Sequence, residues 1–368
     1  MNKFLPEIRL RIDDATGAFT HIAPFDRGMS RISIEFAVDQ DTKDRNSFTF
    51  MVYIREPQSN QATPATEYDV TGLLDVNKMF SPDYARGHSG NIKTNLENIA
   101  LKEIGVSAAD VSSSLDYTKT LIQPHRTNAQ FLKYHKENLI GKNGEYGYKC
   151  FVKSYMMKTY FVFKSLLEMI RDHVSYKFML NDTKYEDRYP IFEYGIYDNY
   201  KLYGAFGVKQ QDYSYFNYTT GTFVHAIETA TNYLSLSDFY LIDQNDLSDS
   251  NEMQATGRSN DFTSNFAGLI KSSYSNRLLN LTKLWITTQG LPNIQPGQTV
   301  ELFFPQGATG DNLYSFQYSG YWLVERVVHN MGDVFLTKLL LTRNGVDTDK
   351  KSTLLRAPLK VGKMNLTR

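Results

Sequence analysis

The sequence predicts an α+β protein dominated by β-structure, and three observations carry that prediction. Tyr and Phe are abundant, at 25 and 23 residues against 2 Trp, and Asn, Ser and Thr are plentiful. Such a composition suits pleated, half-buried surfaces better than helix faces. Two runs near the N-terminus alternate apolar and polar residues with period two, and the C-terminal third holds four strand-like runs punctuated by Gly, Pro and Asn. A chain of 368 residues exceeds one ordinary core, so roughly two to three domains are expected.

In chain order, ISIEFAV places Ile32, Ile34, Phe36 and Val38 on one parity, and SFTFMVYI does the same with Phe48, Phe50, Val52 and Ile54. One face of each then meets a core. The polar run DQDTKDRN between them reads as a loop, so the two strands should be neighbours. Residues 57–95 are rich in Pro, Gly, Asn, Ser and Thr and read as an elaborated loop in which only LLDVNKMF is ordered. A short helix is predicted over 96–105, where Leu96, Ile99, Ala100 and Ile104 recur at helical spacing and Gly105 offers a stop.

Thr127 starts a second helix, because Thr-Asn-Ala-Gln sets a capping hydroxyl three residues before Gln130. Phe131, Leu132, His135 and Leu139 form its stripe, and Gly141 should end it. YKCFVKSYMMKTYFVF reads as a hairpin, and FKSLLEMIRDHV as a helix with Leu166, Leu167, Ile170 and Val174 on one face. Together 124–205 form one α+β unit. Residues 195–242 are dense in Tyr and Phe, 243–261 form a polar exposed loop, and Phe266, Leu269, Ile270, Tyr274 and Leu278 mark a further helix.

The runs LTKLWITTQG, LPNIQPGQTVELFF, YSGYWLVERVVHN and DVFLTKLLLTRNG have the pattern of a small antiparallel barrel or sandwich. Pro296 presets φ for a turn and Gly297 can take positive φ, which would start the strand from Thr299 at a set register. The basic tail from Lys350, with Lys351, Arg356, Lys360, Lys363 and Arg368 and no acid, is either a solvated terminus or an arm that docks on a neighbouring subunit.

Function classes are bounded by the same residues. Lys plus Arg and Asp plus Glu are both 40, so no global field gathers nucleic acid or an anionic membrane. The lone Cys150 excludes an internal disulfide, and the first residues lack a secretory core, which predicts folding in a reducing cytoplasm. The sequons at Asn181, Asn217, Asn280 and Asn365 then read as chance matches. No run approaches the roughly 18 apolar residues of a membrane span, so no membrane insertion is expected.

No metal, cofactor or catalytic residue is predicted. His125 and His135 have the wrong spacing for a helical zinc pair, and DQNDLSDSNE lacks the turn Gly of a calcium loop and has Leu247 at a ligand position. The acid pairs Glu168 with Asp172 and Glu186 with Asp187 are the residues a glycan hydrolase would use, if they faced each other across a cleft. GxSxG, Walker and GxGxxG motifs are missing.

The segment WITTQGLPNIQPGQTVELFF, followed by YSGYWLVERVVHNMGDVFLTKLLLTRNG, resembles a signature of phage tail hub proteins. That group includes the T-even myophage baseplate hub, the late-control D proteins and type VI secretion spike proteins. The matching positions are Leu291, Pro296, Gly297, Gly320, Tyr321, Val324, Val327, Val328, His329, Thr337, Leu341 and Arg343. In the family the His closing the valine-rich strand is a feature of the fold, so His329 is not read as a base.

The resemblance implies two similar antiparallel β-barrel tube domains with α+β insertion domains outside them. On the chain this divides into a first tube domain at 1–122, an α+β domain at 123–205, a second α+β region at 206–280, a second tube domain at 281–346 and a C-terminal arm at 347–368. The strand sets at 31–55 and 299–342 are where duplicated barrels would lie.

It further implies a homotrimer whose six tube domains form a pseudo-hexameric ring in the virion tail baseplate. The ring would join a sixfold tail tube protein to a threefold central spike protein, which in this group sometimes carries or recruits a lysozyme. Baseplate wedge proteins would be neighbours, and DNA would pass only in transit through a polar or mildly acidic lumen. Two other readings stand beside it: a peptidoglycan hydrolase with 124–205 catalytic, and the base of a type VI spike, against which the lack of a following β-helix repeat argues.

Overall fold

The computed structural model describes residues 4–14, 30–37, 45–54, 58–59, 66–172, 174–180, 187–196, 210–217, 221–229, 251–255, 272, 276, 282–305 and 318–343. The N-terminal strands are β1 (Glu7–Asp14), β2 (Ser30–Ala37), β3 (Arg45–Ile54), β4 (Gln58–Ser59) and β5 (Thr66–Leu74). They form one curled antiparallel sheet in the order β1-β5-β3-β2, with the short β4 beside β5. β2 and β3 pair as their parity predicted, Ile32 opposite Phe50 and Ile34 opposite Phe48.

The reading of 57–95 as a loop is corrected by β5, which lies inside this sheet. Its inward residues Tyr68, Val70 and Leu74 are buried. Gly72 gives the segment its loop-like look, yet the backbone there is paired on both sides, to Ile8 and to Val52. A Cβ on Gly72 would stand 2.8 Å from the Met51 carbonyl oxygen and 2.9 Å from Val52 Cγ1, so the sheet packs only around a bare Cα. Gly72→Ala is therefore expected to lower stability by about 1–3 kcal/mol, read as a shifted urea midpoint. β1 escaped the sequence reading altogether, although Ile8, Leu10 and Ile12 alternate in it.

Next come β6 (Tyr84–His88), α1 (Ile92–Asn98), β7 (Ala108–Val111), β8 (Leu121–Arg126), α2 (Asn128–Asn138), β9 (Tyr148–Tyr155), β10 (Lys158–Ser165) and α3 (Leu166–Arg171). The helix predicted at 96–105 starts earlier, capped by the Asn91 side chain, and its end at 99–104 is π-helical before Gly105 at φ 78°. Thr127 and Gln130 form the predicted capping box, but α2 stops at Asn138 and leaves Leu139 extended, two residues before Gly141.

The hairpin β9–β10 turns at Met156 and Met157, both at positive φ, and β10 also takes β7 as a parallel neighbour. The helix predicted to run through Val174 is only six residues long: Asp172 is already extended, and Val174 opens the next strand. These elements bury a core of Ile92, Leu96, Phe131, Leu132, Phe161 and Phe163 that is continuous with the N-terminal sheet.

The remaining strands are β11 (Val174–Leu180), β12 (Tyr189–Ile191), β13 (Glu193–Ile196), β14 (Gln210–Asn217), β15 (Thr222–Thr229), β16 (Asn251–Ala255), β17 (Thr282–Gln289), β18 (Thr299–Phe303), β19 (Gly320–Met331) and β20 (Phe335–Arg343). The loop predicted over 243–261 contains β16, which lies parallel to β14. Of the helix predicted around 266–278, only Ser272 and Asn276 are among the described residues, and both are helical; the tail after Arg343 lies outside them.

The C-terminal sheet runs β12-β11-β18-β19-β20-β17-β13. Its two end strands are consecutive in sequence. One segment, 189–196, pairs in parallel with β11 and then antiparallel with β17, and Phe192 N–H donates to the Thr287 carbonyl at 2.8 Å between them. The sheet thereby closes on itself around Trp322, Val324, Val300, Leu302, Leu339 and Leu341. β11 to β13, from the stretch read as an α+β unit at 124–205, thus complete the sheet of the C-terminal third.

Candidate functional site: two sheets in one register and their junction

Both curled sheets contain the same four-stranded antiparallel unit. In each, the second, third and fourth strands form a meander and the first strand lies against the fourth: β1-β5-β3-β2 and β17-β20-β19-β18. The register matches as well as the order. Ile8 lies opposite Gly72, which lies opposite Val52; Leu284 lies opposite Leu341, which lies opposite Val324. Leu10 pairs with Val70 as Ile286 pairs with Leu339, and Ile32 pairs with Phe50 as Val300 pairs with Trp322.

Because side chains alternate faces, a slip of one residue would turn every matched position outward. The matched residues instead share the inner face throughout. The register puts Phe50 where the second copy has Trp322, Leu74 where it has Arg343, and Phe36 where it has Phe304.

Most of the motif residues are built into the packing of the second copy. Gly297 takes φ 86°, donates its N–H to the Val324 carbonyl at 2.8 Å, and comes so close to α3 that an added Cβ would meet Met169 Sδ at 3.0 Å. Pro296 beside it is half-buried, and Thr299 Oγ1 donates to the Met169 carbonyl at 3.0 Å. The Pro-Gly turn therefore seats α3 on the barrel. Gly320, at φ 107°, opens β19. Tyr321 is half-buried, and the next four residues are buried on both faces. Trp322 and Val324 point into the barrel, while Leu323 packs against Phe151, Leu166 and Met169. A bulge between Val324 and Arg326 then resets the alternation, leaving Val327 on the core and Val328 exposed. Arg343 is buried, its guanidinium 4.2 Å above the Trp322 ring, and Nη1 donates to the Ser319 carbonyl at 3.1 Å.

His329 marks the junction of the two sheets. Its ring lies 5.3 Å from Phe36 of β2 and 5.7 Å from Phe335 of β20, and Phe36 stacks on Phe48. Desolvation among these rings holds its pKa down to about 4. Thr337 Oγ1 accepts from Leu291 N–H at 2.9 Å and sits 3.3 Å from His329 Nδ1, an arrangement suited to a neutral imidazole accepting the hydroxyl proton. Asn46 forms the second link, donating from Nδ2 to the carbonyls of Ser154 and Pro292 at 2.9 and 3.1 Å. Sequence reasoning missed Asn46, which looks like a loop residue, and assigned Phe36 only to the N-terminal core.

The residues that resembled chemistry have structural occupations. The Glu168 carboxylate accepts from the Ser165 N–H and Oγ–H, both at 3.3 Å, as the far half of the capping box of α3, and Asp172 ends that helix. Asp187 pairs with Lys177 at 3.3 Å, while Glu186 and the 243–250 run lie outside the described residues. His135 packs edge-on against Phe131, and its burial, with Lys119, His88 and Arg126 nearby, lowers its pKa to about 4. Cys150 is buried, which pushes its thiol pKa up. Among the described residues no group of three His, Cys, Asp or Glu could hold a metal ion, and no helix is long and apolar enough to cross a membrane. Beneath β19 a buried Lys283 pairs with Glu325 at 2.6 Å, and Lys149 meets Asn276. Desolvation, reinforced by Lys136 and Lys283 and opposed by Glu325 and Glu137, lowers the Lys149 pKa to about 8.

No family model matches the sequence, and no curated protein matches it. Solved structures do resemble the fold. The 43 kDa tail protein of prophage MuSo2 from Shewanella oneidensis superposes with a TM-score of 0.53 at 8% identity, over 94% of this chain and 92% of that one. The tail protein from Neisseria meningitidis MC58 gives 0.48 at 10% identity, over 93% of each chain. The E. coli c3393 protein, a component of the type VI secretion system, gives 0.38 at 10% identity, over 92% of this chain and 73% of that one. This chain has the β-dominated α+β fold of the Shewanella tail protein, the fold class that the C-terminal motif implied.

Proposed function

We propose that the chain is the structural hub of a phage-type tail baseplate, three copies of which set six like sheets in a ring. The observation that carries this is the pair of four-stranded units in one register. A closed threefold assembly of identical chains offers three copies of any surface. A chain that contains the same sheet twice offers six near-equivalent ones, so one face can match a sixfold tail tube while features present once per chain match a threefold central spike. The fold shared with a phage tail protein supports the same setting.

On this reading the part played is geometric. Pro296, Gly297, Gly320, Tyr321, Val327, Val328, His329 and Arg343 belong to the framework of the second sheet and its turn and not to a catalytic site. Baseplate wedge proteins surround the ring, and DNA passes through its lumen without being bound. The hub acts in the virion tail baseplate after assembly in the host cytoplasm. Interfaces of this kind bury on the order of 2,000 Å² or more. The purified protein is expected to sediment as a trimer, and averaged electron micrographs should show a ring with an open centre and six similar lobes. A chain that stays monomeric even at high concentration would overturn the proposal.

A further inference from the structure

We infer that the part-exposed apolar stripe of residues 192–196, beside Phe304, is the seam at which the next copy of this chain docks, and this rests on the ring reading above. Within one chain, the first sheet meets the second through Phe36 at the end of β2, set against His329 and Phe335 near the turn between β19 and β20. The shared register equates Phe36 with Phe304 and equates that turn with the connection between β3 and β5, where β4 lies. If six sheets follow one another around a ring, the junction inside a chain recurs between chains. The rings that cover Phe304 in one copy then face the β3–β5 connection of the next.

The surface at Phe304 has the character such a contact requires. Tyr194 packs on Phe304 with ring centroids 4.9 Å apart, and Tyr318 lies against both. Tyr194 and Ile196 lie opposite the buried Ile286 and Leu284 in register, and Phe192 precedes β13 in the same parity, yet the three are 42%, 39% and 54% exposed. An apolar stripe of this kind on a strand that, among the described residues, pairs only with β17 is the form of a partner site. In-chain continuity names the occupant: Phe36 is covered by the second sheet of its own chain, whereas its counterpart Phe304 is buried beneath Tyr194 and Tyr318, so the first sheet of another copy would meet those two rings.

The test joins two measurements. Tyr194→Cys combined with Gln58→Cys, or with Ser59→Cys, is oxidised and run without reductant; the only other thiol, Cys150, is buried and will not interfere. Covalent dimers and trimers are expected from the paired variants and not from either single one. In sedimentation, Phe192→Glu with Tyr194→Glu should reduce the trimer to monomer, whereas Phe80→Glu, at an equally exposed ring away from the stripe, should leave it intact. A wild-type trimer in which neither cysteine pair cross-links would overturn this seam and leave the hub reading standing. A wild-type monomer would overturn both.

Discussion

Acidification to pH 4 is expected to remove roughly 6 kcal/mol of folding stability through two histidines alone. His329 and His135 are both held near a pKa of about 4 in the folded chain, against 6.5 as the ordinary value. The folded state then binds fewer protons than the unfolded one between those limits. The stabilisation is complete above about pH 6.5 and falls by about 1.4 kcal/mol per pH unit for each group as the pH drops towards 4. Below that both states are protonated and these two groups add nothing more.

Their causes differ. At His329 desolvation alone is responsible, beside Phe36 and Phe335. At His135 burial leads and the cations Lys119, His88 and Arg126 add to it, while a backbone hydrogen bond at Ile122 opposes. His88 is lowered in the same sense, by burial first. Urea midpoints taken from pH 7 to pH 4 should fall steeply in the wild type, and His329→Gln or His135→Gln should each remove about half of that slope. Unchanged slopes in both variants would refute the account. Since His329 lies at the junction, its protonation should also part the two sheets before either unfolds.

Trp322→Ala is expected to cost about 5 kcal/mol and to unfold the C-terminal barrel at moderate urea. Trp322 is fully buried at the centre of that barrel, so truncation leaves a cavity that its neighbours on five strands cannot fill. Its ring also faces the buried Arg343 guanidinium at 4.2 Å, and its Nε1–H donates to the Tyr318 carbonyl at 2.9 Å. The variant therefore strands a buried cation beside a void, a penalty separate from the lost area. Trp322→Phe keeps most of the volume and an aromatic face for Arg343 but drops the hydrogen bond, and should cost about 1–2 kcal/mol. Fluorescence of Trp285, the other tryptophan, reports the unfolding of both variants. Equal midpoints for Trp322→Ala and wild type would show that the barrel is not organised around this residue.

How far the sequence carried depended on how local the cause of each feature was. The capping box at Thr127, the hairpin of β9 and β10, the positive φ of Gly297 and the parity of β2 against β3 each follow from residues within a few positions of one another. Those features were legible. The errors arose where distant chain decides the outcome. Gly72 looks like a loop residue because nothing nearby says that Met51 and Ile8 will crowd its Cα from both sides. Val174 continues a helical spacing from Leu166 and Ile170, yet a parallel neighbour at Thr299, far along the chain, draws it into a strand.

The sequence by itself determined that the chain is built mainly of strands, that two strand sets stand near its ends, and that the second resembles a tail-hub signature. Period-two alternation and turn residues are properties of short windows, and short windows encode them completely. Only the tertiary structure decided that the two sets are the same sheet in the same register, that 189–196 closes the second one, and that Phe36 and His329 join them. Each of those is a choice of pairing between segments tens to hundreds of residues apart. Alternation states which face of a strand is apolar, and the packed fold alone selects which strand that face will meet.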